Sequence, residues 1–254
     1  MLSVVRYRDL VRALVLRDLN VRYRRSTIGF LWTMLQPLLN MLVLKIVFSA
    51  LFRVALTNYA VFALAGILFW NFFSQSIVTS MNSLRGNAQL LHKLPVPLFV
   101  FPLSTVLSGV LNLGFALVPL FVIMLLTGAP LTPALLFLPV AVAIAALFTL
   151  GAGLLLSPLA VFFIDTVELI AVVLQVLFYL TPIIYPKDIL PPKVAWIVRF
   201  NPIRSVLETF RDPIYYGKVP PLEHIAVAAT VAIVAFVVGA YAFRKSADRI
   251  PFYV

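Results

Sequence analysis

The sequence predicts an all-α integral membrane fold with six transmembrane helices, and three observations carry that prediction. Hydrophobic residues make up 63% of the chain and charged residues only 11%, with a mean hydropathy of +1.06. Soluble domains carry about 25% charged residues, and a water-soluble fold of 254 residues has too little interior to hide this much apolar surface. Apolar runs of the ~20 residues that a bilayer crossing requires recur along nearly the whole chain. Arginine and lysine are unevenly shared between the loops, as membrane topology demands. The chain therefore reads as a single membrane domain over 1–254, with no length left for a separate soluble one.

The amino-terminal segment, 1–27, precedes the first span. Val4, Tyr7, Leu10, Val11, Leu14 and Val15 share one stripe at about 100° per residue, with Arg6 and Arg17 on one flank and Arg8 and Arg12 on the other. Over 4–17 this is the pattern of a helix lying on the membrane surface, although a plain basic leader has the same charges. The arginines break any continuous signal-peptide core, and Asp18 and Arg22 end the apolar stripe.

Spans are expected near 28–52, 59–83, 97–126, 134–161, 166–184 and 223–243. The third and fourth are over-long, and Pro102, Pro119, Pro139 and Pro158 supply kinks that absorb the excess. In the first span Thr33, Gln36 and Asn40 form a polar stripe, which faces a partner helix or a pore. Lys45, the one formal charge deep in a span, fits either snorkelling to the outer interface or a pore-lining cation for an anionic substrate. Tyr59, Phe62, Phe69, Trp70, Phe72 and Phe73 crowd the second span, as interface anchors, packing or sugar-stacking faces.

Segment 84–95 mixes Leu84, Leu90, Leu91 and Leu94 with polar groups. Asn87 is placed to cap a short helix that Pro95 stops, which suits either docking to a partner or a simple connector. Asp165 and Glu168 lie three apart on one helix face before the fifth span, as a gate or as acids favoured by the helix dipole. The proline-rich segment 185–222 holds two short apolar patches, 193–200 and 203–211. Each is too short to span, which leaves re-entrant helices or a flat outer cap.

Basic residues gather before the first span (Arg6 to Arg25), after the second (Arg85, Lys93) and after the sixth (Arg244, Lys245, Arg249). The opposite short loops offer only Arg53, so both termini are expected in the cytoplasm of a multi-pass inner-membrane protein. The net charge of +11 is accordingly assigned to topology and anionic lipid rather than nucleic acid.

The missing motifs narrow the chemistry. The absence of cysteine excludes disulfides and thiolate nucleophiles. His92 and His224 are too far apart for a metal motif. No G-x-x-x-x-G-K-[ST], H-E-x-x-H or G-x-S-x-G run occurs. No catalytic residue, metal or cofactor is therefore expected in this chain. No acid lies mid-span, which counts against an ion-coupled carrier.

The stretch from Arg17 to Phe52, RDLNVRYRRSTIGFLWTMLQPLLNMLVLKIVFSALF, resembles the start of permease subunits of type-2 ABC exporters. The nearest branch in pattern is the one exporting polysaccharide or polyol phosphate, the O-antigen and teichoic-acid exporters. Phe69-Trp70-Asn71-Phe72-Phe73-Ser74, the run from Ser80 to Lys93, Pro182 to Pro186, Asn201-Pro202, Phe210-Arg211 and Phe243-Arg244-Lys245 continue the likeness in order. Two departures stand out. The run from Lys93 to Pro97 lacks the arginine common after its proline, and Ser246 and Ala247 precede Asp248 where a glutamate is usual.

The resemblance implies a homodimer paired with two copies of a separate P-loop ATPase, which holds the ATP and Mg. It implies an interface helix within 1–27 and a coupling helix at 84–95, docking through Asn87, Leu90, Leu91, His92 and Lys93. It also implies two re-entrant outer helices between spans five and six. The glycan, carried on undecaprenyl diphosphate, passes a channel lined mainly by the first and fifth spans. Thr33, Gln36, Asn40, Lys45, Tyr59, Phe62, Phe178 and Tyr179 are the candidates for that lining. Arg22, Arg24 and Arg25 would sit beside the lipid diphosphate. The rival readings are a type-2 permease for a drug or small amphiphile and a membrane enzyme acting on polyprenyl lipids.

Overall fold

The computed structural model describes residues 7–23, 58–93, 96–186 and 198–253, with Trp32, Leu35, Gln36, Leu38, Leu39, Asn40, Leu42, Val43, Ile46 and Trp196 besides. The order is α1 (Arg8–Tyr23), α2 (Tyr59–Gly86), α3 (Ala88–Lys93), α4 (Val100–Thr127), a 3-10 turn (Pro133–Phe137), α5 (Leu138–Phe162), α6 (Thr166–Leu180), α7 (Pro202–Tyr215), α8 (Leu222–Ser246) and a closing 3-10 turn (Ile250–Phe252). No strand occurs among the described residues.

Among the described residues four helices are long and apolar enough to cross a membrane: α2, α4, α5 with the 3-10 turn before it, and α8. They match the expected second, third, fourth and sixth spans. The expected first span lies largely outside the described residues, and its described positions are helical. The expected fifth span is shorter than 166–184. The α6 helix has 15 residues, about 22 Å at ~1.5 Å per residue, against ~30 Å of hydrocarbon. It stops where Thr181 and Pro182 turn the chain.

The α2 helix is the centre of the bundle, packed between α4, α5, α6 and α7. The closest pairing, α5 on α8, buries small residues on both helices, Ala141, Ala145 and Gly151 on one and Ala228, Ala232 and Gly239 on the other, with Gly151 against the backbone of Ala235 and Phe236. A Cβ on Gly239 would strike the Gly151 carbonyl, so the backbones approach as only glycine permits. The aromatics of α2 pack inward. Phe73 stacks on Phe148 at 5.4 Å, and Phe69 meets Phe210 at 5.9 Å.

At one end α1 seals the bundle. Val11, Leu14 and Val15 are buried with Leu84, Val100, Phe101, Phe243 and Ile250. The apolar stripe of α1 thus packs on protein, and the helix runs through Asp18 and Arg22 to Tyr23 rather than stopping with its stripe. The Arg85 guanidinium donates to the Val161 carbonyl (2.9 Å) and so caps the end of α5. Tyr253 closes the carboxyl-terminal turn against Phe162.

At the other end lies α7. Asn201 caps it by accepting from the Ile203 N–H (3.0 Å), and Pro202 occupies its first turn. Its buried stripe is Ile203, Val206, Leu207, Phe210 and Ile214. Arg211 projects from the same buried face, 4.0 Å above the Phe62 ring. Its Nη1 and Nη2 donate to the carbonyls of Pro182 and Ile183, each at 2.7 Å. Asn201 Nδ2 donates to Thr181 Oγ1 (2.9 Å) and the Leu180 carbonyl (3.3 Å), and the Tyr59 hydroxyl donates to the Ile184 carbonyl (2.9 Å). The turn that ends α6 is therefore satisfied by side chains from α2 and α7 and from the residue before α7.

Arg211→Leu should lower thermal stability sharply, because two buried carbonyls lose donors at about 1–3 kcal/mol each. The midpoint of heat-induced loss of the monodisperse peak in detergent measures this. A midpoint equal to that of the wild type would remove the clamp from the account of stability.

Candidate functional site

A spanning helix in lipid should carry few polar side chains, because hydrocarbon offers them no partner. The α2 helix breaks that rule along one face. Asn71, Gln75, Thr79, Asn82 and Gly86 follow one another at helical spacing, and Gln75, Thr79 and Asn82 are exposed. Beside them α4 presents Thr105, Ser108, Gly109 and Asn112. Together with Arg17, Asp18, Trp32 and Gln36 these residues enclose a cavity of about 840 Å³.

The wall between α2 and α4 is held by hydroxyls. Ser80 and Thr105 bond across it at 2.7 Å. Ser76 touches Gly109 and Ser80 touches Gly153, where a Cβ would collide. Some polar groups are satisfied within their own helix: Thr79 donates to the Gln75 carbonyl and Asn82 to the Val78 carbonyl. The side-chain amides of Asn71 and Gln75 make no hydrogen bond to a described residue.

The far side of α2 borders a second, shallower groove of about 460 Å³ against α6. Gln75 and Thr79 line both spaces, and Trp70 and Phe178 close the groove edge-to-face with centroids 5.6 Å apart. Only Leu174 of α6 is buried, while Leu169, Val172, Val173, Val176 and Tyr179 are exposed.

At the mouth of the cavity α1 is latched to the connection after α2. Arg17 Nη1 donates to Asn87 Oδ1 at 2.7 Å, and its Nη2 pairs with Asp18 at 2.9 Å. Asn87 Nδ2 donates to the Ser83 carbonyl (2.7 Å), and its own carbonyl accepts from the N–H groups of Leu90 and Leu91. Asn87 therefore closes α2 and starts α3 with its main chain, and its side-chain oxygen goes to Arg17 rather than to the N-terminus of α3.

The expected site residues fall in different surroundings. Leu90 and Leu91 lie on α3, half-buried against the α1 cluster. Gln36 lines the cavity, Asn40 is exposed, and Phe178 and Tyr179 sit on α6 towards the groove and the open face. Phe62 does not line an open path: it is 3% exposed and packed between Arg211 and Tyr215. Tyr59 is held by its bond to Ile184. Thr33, Lys45, Arg24 and Arg25, and the side chains of Arg22, His92 and Lys93, lie outside the described residues. Asp165 and Glu168 are exposed, and Asp165 makes no capping bond. Asn71, Gln75, Thr79 and Asn82 are absent from the expected set, although the test that found Thr33, Gln36 and Asn40 exposes them in the second span.

The family model described as ABC-2 type transporter matches residues 9–215. The O-antigen export system permease protein RfbA of Klebsiella pneumoniae is 32% identical over 240 residues, covering 93% of this chain and 92% of that protein. The protein of the same name from Myxococcus xanthus is 31% identical over 234 residues, covering 91% and 90%. The polysialic acid transport protein KpsM of Escherichia coli is 22% identical over 241 residues, covering 92% of each.

If Arg17 and Asn87 act as one latch, Arg17→Ala and Asn87→Ala should each lower stability by about 1 kcal/mol, a modest figure because water competes for the bond. The double change should cost less than the sum. Melting midpoints of the four proteins measure the cycle, and strict additivity would show that the two residues are not coupled.

Proposed function

The chain belongs to the ABC-2 type transporter family, and from that premise we propose that it is the membrane permease of an ATP-driven exporter of lipid-linked polysaccharide, of O-antigen or teichoic-acid-like class. The observation that carries this reading is the likeness over 93% of the chain to an O-antigen export permease. On this reading the chain catalyses no reaction, and a separate P-loop ATPase binds ATP and Mg.

The architecture supports a division of labour along the membrane normal. The α1 end collects Arg8, Arg12, Arg17, Arg85, Arg244, Lys245 and Arg249, a basic excess that supports a cytoplasmic position for it and for both termini. With the first span and α6 counted, the chain crosses six times and forms one permease domain over 1–254. Segments 193–200 and α7 then dip back from the outer face within 185–222, as re-entrant helices that protein satisfies.

The α3 helix, inside 84–95, is the coupling helix, with Asn87, Leu90, Leu91, His92 and Lys93 towards the ATPase. The Arg17–Asn87 bond joins that helix to α1, the interface helix within 1–27. A displacement of α3 by the ATPase therefore reaches α1. There Arg22, Arg24 and Arg25 hold the diphosphate of an undecaprenyl carrier by charge-assisted hydrogen bonds. The exposed apolar face of α6 and the first span suit a second copy of the chain. The path then runs between protomers past Thr33, Gln36, Asn40, Lys45, Phe178 and Tyr179.

The test is purification of the tagged chain co-expressed with its neighbouring genes. A P-loop ATPase should come with the wild type and be released by Leu91→Asp combined with Lys93→Glu, with insertion unchanged. An ATPase that never accompanies the wild type sinks the exporter reading.

A further inference from the structure

On the exporter reading force enters through α3, and a single residue joins α3 to α2. The Asn87 N–H donates to the Leu84 carbonyl (3.2 Å) and closes α2. The Asn87 carbonyl accepts from the Leu90 and Leu91 N–H groups (2.9 and 3.1 Å) and opens α3. No linker separates the two helices, so the few backbone dihedrals at Gly86 and Asn87 set the direction of α3.

Gly86 is a glycine that its surroundings do not require. A Cβ there would meet no atom within 4 Å, and its φ is not positive. It ends α2 in helical backbone, where alanine has the better propensity. At Gly66, Gly151 and Gly239, by contrast, backbone or a buried guanidinium fills the space a Cβ would take. What glycine adds at 86 is a range of φ and ψ beside the one-residue joint.

A side-chain bond crosses the same joint. Arg17 Nη1 donates to Asn87 Oδ1 at 2.7 Å, so turning α3 at residue 87 loads a bond to α1. Releasing that bond strands neither partner. Asp18 Oδ1 already holds the guanidinium through Nη2 (2.9 Å) and Nε (3.2 Å). The Asn87 amide keeps its bond to the Ser83 carbonyl (2.7 Å). The Arg17 side chain is about half exposed, so water replaces the lost contact. A bond that opens with both partners still satisfied suits a contact made and broken repeatedly rather than a permanent staple.

We propose that Gly86–Asn87 is the hinge on which α3 turns, and that the Arg17–Asn87 bond is the catch that holds α3 in the conformation of this structure. The proposal rests on the exporter reading and adds to it the residues that take up the motion.

The hinge is tested by comparing Gly86→Ala with Gly114→Ala in the assembled exporter. Gly114 lies within α4 and also has nothing within 4 Å of a Cβ, so it controls for the loss of a glycine as such. Gly86→Ala should keep its ATPase and a melting midpoint at or above that of the wild type, yet cut surface glycan several-fold. Gly114→Ala should export as the wild type does. The catch is tested by Asn87→Asp, which gives Arg17 a charged acceptor and a tighter bond. It should cut export several-fold with the ATPase retained, and adding Arg17→Ala to it should restore at least half of the loss. Wild-type export by Gly86→Ala, an equal loss in Gly114→Ala, a midpoint well below that of the wild type, or loss of the ATPase each overturns the hinge. Wild-type export by Asn87→Asp, loss of its ATPase, or no recovery on adding Arg17→Ala overturns the catch. Surface glycan that persists in cells lacking the chain overturns the exporter reading and the hinge with it. Glycan that depends on the chain while Gly86→Ala exports normally overturns the hinge alone.

Discussion

The α7 half of the structure depends on one constraint: backbone carbonyls that leave a helix inside an apolar bundle must find donors. The α6 helix ends after 15 residues, and the turn at Thr181–Pro186 exposes carbonyls where water has little access. Proline at 182 and 186 cannot donate, and the turn supplies only part of what it needs, through the Ile183 N–H to the Thr181 carbonyl and the Tyr185 hydroxyl to the Tyr179 carbonyl, each at 2.7 Å. Arg211 supplies two donors in a fixed fork and Asn201 supplies another, both anchored in or beside α7. Burying a guanidinium costs several kcal/mol. The two carbonyls, the ring of Phe62 and the negative end of the α6 dipole offset that cost. Gly66 follows from the same geometry, because a Cβ there would strike both Arg211 and the Ile183 carbonyl. The buried face of α7 is what carries Arg211 to its place, so the amphipathicity of α7 and the shortness of α6 are one fact seen from two helices.

The α2 helix resolves the opposite problem. Its apolar faces carry Phe69, Phe73, Ile77 and Met81 into the core, and its serines meet the hydroxyls and glycines of α4 and α5 at close range. Small residues bring those backbones together where lipid supplies no hydrophobic force between helices. The remaining face carries amides that a core would exclude. One helix is thus both the apolar centre of the bundle and the wall of a cavity lined by polar side chains. That arrangement is stable only because the two roles occupy different faces at a 3.6-residue period.

Hydropathy alone made the spans legible: α2, α4, α5 and α8 begin and end within a few residues of the expected runs. Local pattern also showed that the amino terminus is amphipathic. It did not show that Val11, Leu14 and Val15 pack on Phe101, Phe243 and Ile250, because a stripe says which face is apolar and not what covers it. Asn87 was singled out, but its oxygen serves Arg17, 70 residues away. Arg211 was legible only as one letter of a family likeness. Its bonds reach 28 and 29 residues back, and no local period encodes such a contact. Phe62 is expected along a channel and lies buried beneath Arg211, since a channel face and a cation–π partner look alike in sequence. The polar file of α2 was legible in principle.

The two ends of the bundle are held by bonds of different kinds, and the difference has a mechanical consequence. At the α7 end Arg211 is 4% exposed, and both of its bonds are buried. Opening them means stranding a charge, so that end moves as a block or not at all. At the α1 end Arg17 is about half exposed and bonded to Asn87 and Asp18, and water can replace either partner at small cost. Force applied through α3 therefore meets its softest joint beside the cavity mouth, where α1, Asn87 and the polar face of α2 converge. Such a joint opens at lower cost than the Arg211 clamp, which keeps the helices of the other end in register.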